Sequence, residues 1–483
     1  MIDLRPVAHP IGKIIVTLGV SMLAPMLVDW WHGDPHWAVF LQSAALTMVV
    51  GTLVSVATWG NYRNLSIQQA FLLTSGLWAV LPLFGALPFM LGQPDARFVD
   101  AYFEAMSGVT TTGTTVFPQL DGLPRGTHLW RAILHWIGGL GIVVVAMVFL
   151  PIMKVGGMQF FRSEGFDTLG KIMPRAGEIA AEMTRVYVML TAFCTITYLL
   201  LGMNGFDAIV QAFGTVSTGG FSNYDASFGA FLGPIEWAAS FFMILASIPF
   251  IRLVQGMRGD FTPIWRDLQI RAYLRWIFYA CAIIIAYRVV FLQHQGNVFD
   301  ITRETVFNTV STFSGTGFFS TDVMTWGHLP LAILIICGLI GGCTGSTACS
   351  VKVFRYLVLF QAVRAQLRRM HSPHRVYALR YEGRPLDQDV IDSVMAFFTL
   401  FMLTFGLLIV GLSLTGLHPR TALTGAWTAI ANIGPIWGPE ITANGSIAEF
   451  PDSAKWLMTL GMYLGRLELV SVLVLLLPRF WRG

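Results

Sequence analysis

Charged residues are scarce in this chain, at 12% of 483 positions, while hydrophobic residues make up 55%. Soluble globular domains carry about 25% charged residues. Half that fraction over so long a chain excludes a water-soluble globular protein, because most of the surface has to face a medium other than water. Apolar runs of about 20 residues, long enough to cross a bilayer, recur along the whole chain. We therefore expect an all-α polytopic membrane protein.

Cysteine is also rare, with five residues and no Cys-x-x-Cys spacing, so neither a disulfide framework nor a zinc site is indicated. No metal-ligand or catalytic-triad spacing links the polar residues within the apolar runs, such as His135, Cys194 and Glu468. The Gly-rich stretch at 138–141 lacks the strand–loop–helix setting of a nucleotide-binding fingerprint. We therefore expect no enzyme, no organic cofactor and no nucleic-acid partner.

Ten membrane spans are predicted, near 11–30, 37–59, 66–91, 127–153, 183–203, 233–254, 270–293, 328–360, 388–415 and 454–478. Lys and Arg concentrate in alternate loops, mainly at 154–185, 252–275 and 352–384. Basic loops stay in the cytoplasm, so both termini are expected there, and an even number of spans agrees.

Four connections between spans share one design, at 98–117, 205–225, 301–322 and 420–440. Each begins with a polar residue that can cap a helix, continues with about ten apolar residues, too few to span, and ends at a glycine. The predicted caps are Asp100, Asp207, Glu304 and Thr421. The glycines, about a hundred residues apart, are Gly113, Gly219, Gly317 and Gly434, and the residues before them are Thr112, Thr218, Thr316 and Ile433.

The repeating unit is therefore a span, a half-helix, a loop and a second span. An N-terminal helical hairpin at 1–62 is predicted to precede four such repeats, at 63–180, 181–265, 266–386 and 387–483. Non-helical backbone at membrane depth is tolerated only where protein buries it or it lines a water-filled cavity. Four such repeats around an axis predict a central pore.

Glycine permits positive φ angles that turn carbonyl oxygens inward, and a ring of carbonyls can replace the hydration shell of a cation. Oxygen ligands without a carboxylate suit a monovalent cation better than a divalent one. Ordinary Gly/Thr-rich turns are the alternative for one loop, but four matched loops favour a pore. The predicted cation-binding filter comprises Thr111, Thr112, Gly113, Thr218, Gly219, Thr316, Gly317, Ile433 and Gly434.

Several strings resemble the Trk, Ktr and HKT superfamily of potassium transporters, and most closely its TrkH and TrkG subunits. They are TTTGTTVF, STGGFSNYD, GGCTGSTACSVKVFR and YLGRLELVSVLVLLLP, and the similarity covers nearly the whole chain. In that superfamily a glycine in all four filter loops goes with potassium selectivity, so the resemblance implies K⁺ as the transported ion. The fourth loop departs from the pattern, with Ile433 before the glycine and Pro435 after it.

The eighth predicted span contains four glycines within eight positions, 338–345, each of which weakens a helix by about 1 kcal/mol. An intramembrane break is one interpretation. Close helix packing is the other, because Gly341 and Gly345 form a GxxxG motif. The resemblance implies a gating loop beneath the filter, comprising Gly341, Gly342, Thr344, Gly345, Ser346, Thr347 and Lys352.

Arg466 lies inside the apolar last span, where a charge is costly unless it faces the protein interior, a cavity or a partner. It either holds neighbouring carbonyl groups together or, as the resemblance implies, projects into the permeation path as an electrostatic barrier. Four acidic residues follow the filter loops and either enrich cations at the mouth or are solvated turn residues. They are Asp121, Asp225, Asp322 and Glu440.

The resemblance also implies a multi-pass protein of the bacterial inner membrane that forms a homodimer. It further implies a cytosolic nucleotide-binding regulatory subunit, and the basic inner loops at 252–276 and 352–386 are where such a subunit is expected to dock. The rival function is a secondary cation transporter coupled to sodium or protons. Such proteins usually place carboxylates at a midplane site, and the filter loops have none.

Overall fold

The computed structural model describes residues 3–60, 65–148, 153, 157–158, 160, 176–291, 297–372, 379–442 and 445–481. Regular structure in these residues is helical apart from one short antiparallel hairpin, β1 (Arg380–Tyr381) and β2 (Arg384–Pro385), in which Tyr381 faces Arg384. The predicted all-α class is confirmed. Much of the basic loop predicted at 154–185 lies outside the described residues.

The helices of the first half of the chain are α1 (Arg5–Ser21), α2 (Leu23–Trp31), α3 (Trp37–Ala57), α4 (Ile67–Gly85), α5 (Leu87–Leu91), α6 (Phe98–Val109), α7 (Arg125–Val148), α8 (Ala176–Leu200), α9 (Gly205–Val216), α10 (Pro234–Ala246) and α11 (Phe250–Met257). Those of the second half are α12 (Thr262–Arg266), α13 (Leu268–Val290), α14 (Val298–Ser314), α15 (His328–Ile340), α16 (Val353–His371), α17 (Gln388–Leu414), α18 (Pro419–Ala431), α19 (Asp452–Arg466) and α20 (Val470–Leu473). Short 3₁₀ turns cover Ser227–Ala230, Val323–Trp326, Val474–Leu476 and Pro478–Trp481.

Glycine allows the N-terminal helices α1 and α3 to pack closely. A Cβ atom placed on Gly12 would lie 2.7 Å from the backbone nitrogen of Ser55, and one on Gly51 would lie 2.8 Å from that of Val16. Membrane helices associate through such small residues because lipid tails provide no hydrophobic drive to bring helices together. This hairpin precedes the four half-helices.

Within the described residues, seven of the ten predicted spans are helical runs long and apolar enough to cross a membrane, and two of these runs join α1 with α2 and α4 with α5. The spans predicted at 233–254 and 454–478 are instead helix pairs bent by 100° and 102°, and counting each pair as one span gives up to nine. The span predicted at 328–360 is wrong as a single helix, because α15 ends at Ile340 and α16 begins at Val353.

Each break has a local cause. Pro249, which has no backbone N–H, lies between α10 and α11. Left-handed backbone at Gly341 (φ 74°) ends α15, and Glu468 and Leu469 with φ of 59° and 45° end the helical path after α19.

The four predicted half-helices are α6, α9, α14 and α18, of 12, 12, 17 and 13 residues. The predicted caps are wrong, because each helix begins before the predicted cap residue. The residues at the N-cap positions are Arg97, Asn204, Asn297 and His418, and all but Arg97 accept a backbone N–H with the side chain.

Two large apolar clusters surround these half-helices. One contains buried side chains of α6, α7, α18 and α19. The other contains buried side chains of α8, α9, α10, α13 and α14. Each cluster therefore fixes two half-helices against the longer helices that flank them.

Candidate functional site

Loops follow the four half-helices and contact each other in sequence. We name them loop 1 (110–117), loop 2 (217–224), loop 3 (315–321) and loop 4 (432–438). A Cβ atom placed on Gly113 of loop 1 would lie 2.1 Å from the carbonyl oxygen of Gly219 in loop 2. One placed on Gly220 would lie 1.9 Å from the carbonyl oxygen of Thr316 in loop 3. Both distances are too short for any side chain.

The contacts continue through loop 4 and return to loop 1. A Cβ atom on Gly317 would lie 2.5 Å from the backbone nitrogen of Gly434, and one on Gly434 would lie 3.3 Å from the carbonyl oxygen of Thr112. The four loops therefore form a closed ring. We call Gly113, Gly220, Gly317 and Gly434 the ring glycines.

Loop 2 differs by one residue from its predicted alignment, since Gly220 and not Gly219 occupies the ring position. Left-handed residues two positions before each ring glycine establish this register, namely Thr111 (φ 53°), Thr218 (53°), Gly315 (82°) and Asn432 (52°). Aligning Gly219 with Gly113, and Thr218 with Thr112, was wrong. The sequence does contain a clue to the correct alignment, because a phenylalanine directly follows the glycine in both Gly220-Phe221 and Gly317-Phe318.

Hydroxyl groups support the same register in three loops. Each donates from the last turns of a half-helix to the carbonyl oxygen seven residues later. The pairs are Ser107 with Thr114, Ser311 with Phe318 and Thr428 with Pro435, at 2.7, 2.7 and 2.6 Å. In the second unit Gly214 of α9 occupies the position of the hydroxyl residue. The bonds fix how each chain leaves its ring glycine.

The predicted filter threonines make hydrogen bonds within the protein. Thr112 Oγ1 lies 2.8 Å from Thr110 Oγ1 and accepts the Asn432 side-chain amide at 3.0 Å. Thr218 Oγ1 donates to the preceding carbonyl group, and Thr316 Oγ1 lies 2.7 Å from Ser314 Oγ. These bonds hold the loops in shape.

Ile433, which replaces threonine in loop 4, is fully buried in an apolar cluster with Trp427 and Trp437. Loop 4 is thus packed mainly by apolar contacts at the position where loops 1 and 3 have a threonine.

A cavity of about 600 Å³ lies on one side of the ring and includes all four ring glycines in its lining. Asp225 and Asp322 also line it, whereas Asp121 accepts the Asp225 backbone N–H and Glu440 binds the start of α18. Burial opposes ionisation of Glu440, but hydrogen bonds from the Thr421 hydroxyl and the His418 backbone outweigh it and lower its pKa.

A non-helical segment, residues 341–352, packs against the other side of the ring. We call it the intramembrane segment. Cys349 contacts the ring loops, with Sγ 3.6 Å from Thr111 Oγ1 and its backbone nitrogen 3.3 Å from a Cβ atom placed on Gly315. All the predicted gate residues, from Gly341 to Lys352, lie in this segment. The GxxxG alternative is wrong, because no helix joins Gly341 to Gly345.

Backbone groups of this segment are satisfied by the bend between α10 and α11. Cys343 N–H donates to the Ser247 carbonyl oxygen at 3.0 Å, and Phe250 N–H donates to that of Gly345 at 2.9 Å. Thr344 N–H donates to the buried Gln269 side chain at 2.9 Å. Two broken helices therefore stabilise each other at membrane depth, as buried non-helical backbone requires.

Arg466 ends α19 next to the intramembrane segment and is 3% exposed. Its Nη1 lies 2.6 Å from Cys349 Sγ and 3.4 Å from the Thr347 carbonyl oxygen. Among the described residues, Nε and Nη2 of Arg466 have no hydrogen-bond partner. A buried positive charge with free donors thus lies directly behind the ring.

Glu468 follows α19 and forms ion pairs with two basic residues near the segment. Arg355 binds its Oε2, and Lys352 Nζ lies 3.7 Å from its Oε1. Lys352 is therefore buried in an ion-pair cluster. This cluster was not predicted, because Glu468 lies more than a hundred residues from Lys352 and Arg355 in the chain.

These features define a helical membrane protein in which four half-helices end at a ring of loops. The ring lies between an open cavity on one side and the buried intramembrane segment, with Arg466 beside it, on the other. The model for the TrkH family of cation transport proteins matches residues 36–482. The chain belongs to this family. It is 38% identical over 480 residues to the Trk system potassium uptake protein TrkI of Halomonas elongata, covering 99% of this chain and 97% of that one.

A second relative and a solved structure also belong with TrkH proteins. The chain is 32% identical to the Trk system potassium uptake protein TrkH of Escherichia coli, with 99% of both chains covered. It is similar in structure to the crystal structure of the potassium transporter TrkH from Vibrio parahaemolyticus, with a TM-score of 0.92, 30% identity and both chains covered completely.

Proposed function

We propose that this chain takes up potassium ions through the ring of its four loops. The closed ring carries the proposal, because the backbone of four loops meets around it and can supply carbonyl groups to a cation. Such groups replace the hydration shell of a monovalent cation. The half-helices end at the ring, so the negative ends of their dipoles favour a cation there. The relatives' names describe potassium uptake.

The predicted repeats at 63–180, 181–265, 266–386 and 387–483 each contribute one loop to this pore, after the hairpin at 1–62. The protein lies in a bacterial inner membrane with both termini in the cytoplasm. The cavity beyond the ring glycines is then the outer mouth of the pore, and the intramembrane segment lies on the cytoplasmic side.

The intramembrane segment is the gate in this proposal, and Arg466 is an electrostatic barrier beside it. Two contacts of Cys349, which belongs to this segment, support both roles: its Sγ lies 3.6 Å from Thr111 Oγ1 of loop 1 and 2.6 Å from Arg466 Nη1. Gating requires the segment to leave this position. A homodimer with a cytosolic nucleotide-binding subunit would control that movement.

The surface available to that subunit includes exposed arginines on the inner loops. Arg258 and Arg266 lie on one loop, and Arg364, Arg368 and Arg369 on α16. An acidic face on the subunit would complement them.

The decisive experiment is rubidium and sodium uptake into liposomes that contain the purified protein, Gly113→Ser or Arg466→Ala. We expect rubidium uptake well above sodium uptake in the wild type, loss of this preference in Gly113→Ser, and faster uptake in Arg466→Ala. Gly113→Ser acts because φ is 88° and the neighbouring carbonyl group is too close for a Cβ atom. Uptake only under an imposed sodium or proton gradient would identify a coupled transporter instead.

A further inference from the structure

One position in the half-helices carries a polar side chain that binds the loop of the same unit. It lies seven residues before the left-handed residue, and its occupants are Glu104, Gln211 and Asn308, with Gly425 in the fourth unit. Gln211 Nε2 donates to Ser222 Oγ at 3.0 Å, and Asn308 Nδ2 donates to Ser320 Oγ at 3.0 Å. Thr424 takes over this role in loop 4, where its hydroxyl binds Trp437.

Glu104 is the charged member of this set and is fully buried. Its carboxylate accepts the Thr115 hydroxyl at 3.0 Å and the Val116 backbone N–H at 2.9 Å, both in loop 1. It also accepts Arg131 Nε at 2.8 Å. The side chain of Arg131 is 1% exposed, so this ion pair is shielded from water.

Arg131 connects Glu104, which binds loop 1, to loop 2. Its Nη1 donates to the Ser222 carbonyl oxygen at 2.7 Å, and its guanidinium lies 4.1 Å from the ring centre of Phe221. Phe221 directly follows ring glycine Gly220. The hydrogen bonds of Gln211, Asn308 and Thr424 described above each join a half-helix to the loop that follows it, and none of these bonds reaches a second loop.

We propose that Glu104 and Arg131 are positioning residues that set the separation of loops 1 and 2 in the ring, and thereby its preference for potassium over sodium. This inference rests on the proposed function. The planar guanidinium has donors at fixed angles, so it holds the two loops at a defined distance. A buried pair with its remaining groups satisfied by hydrogen bonds resists the distortion that would let the ring contract around a smaller ion.

The test is Arg131→Lys. Lysine keeps the positive charge, but its single nitrogen cannot reproduce the two guanidinium donors that bind Glu104 and the Ser222 carbonyl oxygen at the same time. We expect the rubidium-to-sodium uptake ratio in liposomes to fall at least tenfold while total cation uptake persists. The matched control is Arg288→Lys. Arg288 is also 2% exposed and binds Glu304 and Thr305 within the early turns of α14, away from the ring. Its ratio is expected to stay at the wild-type value.

Thermal unfolding in detergent is measured for both variants, because a structural role alone would lower both midpoints without changing the uptake ratio. An unchanged ratio in Arg131→Lys, beside a selective wild type, would overturn this inference alone. A wild-type protein that takes up rubidium and sodium equally well would overturn both the proposed function and this inference. If Arg131→Lys does not fold, Glu104→Asp is decisive in the same way, because its shorter carboxylate cannot reach loop 1 and Arg131 together.

Discussion

At the residue scale, three of the four ring glycines are required for two independent reasons. Gly113, Gly220 and Gly317 have φ between 79° and 88°, where side chains are strained. The space beside each one is also occupied by backbone of the next loop. Backbone cannot rotate away as a flexible side chain can, so any Cβ atom here must move a neighbouring loop.

Gly220→Ala therefore tests the corrected register of loop 2. A Cβ atom there would lie 1.9 Å from the Thr316 carbonyl oxygen, so loop 3 must shift. We expect the rubidium-to-sodium uptake ratio to fall severalfold or more. Gly406→Ala is the control, because Gly406 lies within α17 with no atom close to the added methyl group, and alanine stabilises a helix by about 1 kcal/mol there. A normal ratio in Gly220→Ala would contradict the register.

Much of this residue-level pattern is local and could be predicted. Glycine and threonine at the ends of short apolar segments identified the four loops. The offset of Gly219 and Gly220 could not be resolved from residue types, because either glycine fits a tight turn. Glu104 and Arg131 were missed for another reason: 27 residues separate them, and only the packing of α6 against α7 brings them together.

At the element scale, the notable feature is that two broken helices complete each other. The bend between α10 and α11 leaves carbonyl groups of Ala246 and Ser247 available, and the intramembrane segment supplies the donors. Each such bond contributes only about 0.5–1.5 kcal/mol net, so the segment is held by several modest interactions. A gate needs this property, because it has to be released by a limited amount of free energy.

Gln269→Leu should loosen the intramembrane segment with little change in volume. It removes the acceptor of the Thr344 N–H, and a buried donor left unsatisfied costs about 1–3 kcal/mol. Since 1.4 kcal/mol corresponds to a tenfold change in an equilibrium, we expect rubidium uptake to rise severalfold. Gln388→Leu is the control, because Gln388 is exposed and its side chain donates to Asp392 on its own helix. Unchanged or slower uptake in Gln269→Leu would count against the segment as a gate.

One of the three helix breaks was predicted. Four glycines in eight residues left either a break or close helix packing open after α15, and the resemblance to the superfamily favoured the break. The segments that bend at Pro249 and after Arg466 were predicted as straight spans. Hydropathy averaged over a segment reports its composition and carries no information about a change in the direction of the helix axis. A single proline or arginine changes such an average too little to reveal a bend of 100°.

At the scale of the whole molecule, the ring closes where its first and last loops meet, the pair that is most distant in the sequence. Loops 1 and 4 are more than 300 residues apart, so they meet only through non-covalent contacts. Two hydrogen bonds join them, from the Thr114 hydroxyl to the Gly434 carbonyl oxygen and from the Asn432 side-chain amide to the Thr112 hydroxyl. The backbone N–H of Ile447, which follows loop 4, donates to the Thr115 carbonyl oxygen. Further along α6 and α19, Lys455 Nζ binds Asp100 at 2.6 Å and Arg97 binds Asp452 at 2.8 Å.

Lys455→Met tests whether this junction limits the stability of the fold. The Lys455 side chain is 1% exposed, and removing one partner of a buried ion pair costs roughly 3–5 kcal/mol. We expect a loss near or below the lower end of that range, because Asp100 keeps its bond to Arg97 at 3.0 Å. The measurement is the thermal unfolding midpoint in detergent, with Arg185→Met as the control, since the Arg185 side chain is 63% exposed in its pair with Glu182. Equal midpoints for the two variants would show that apolar packing between α6 and α19 closes the ring without the charges.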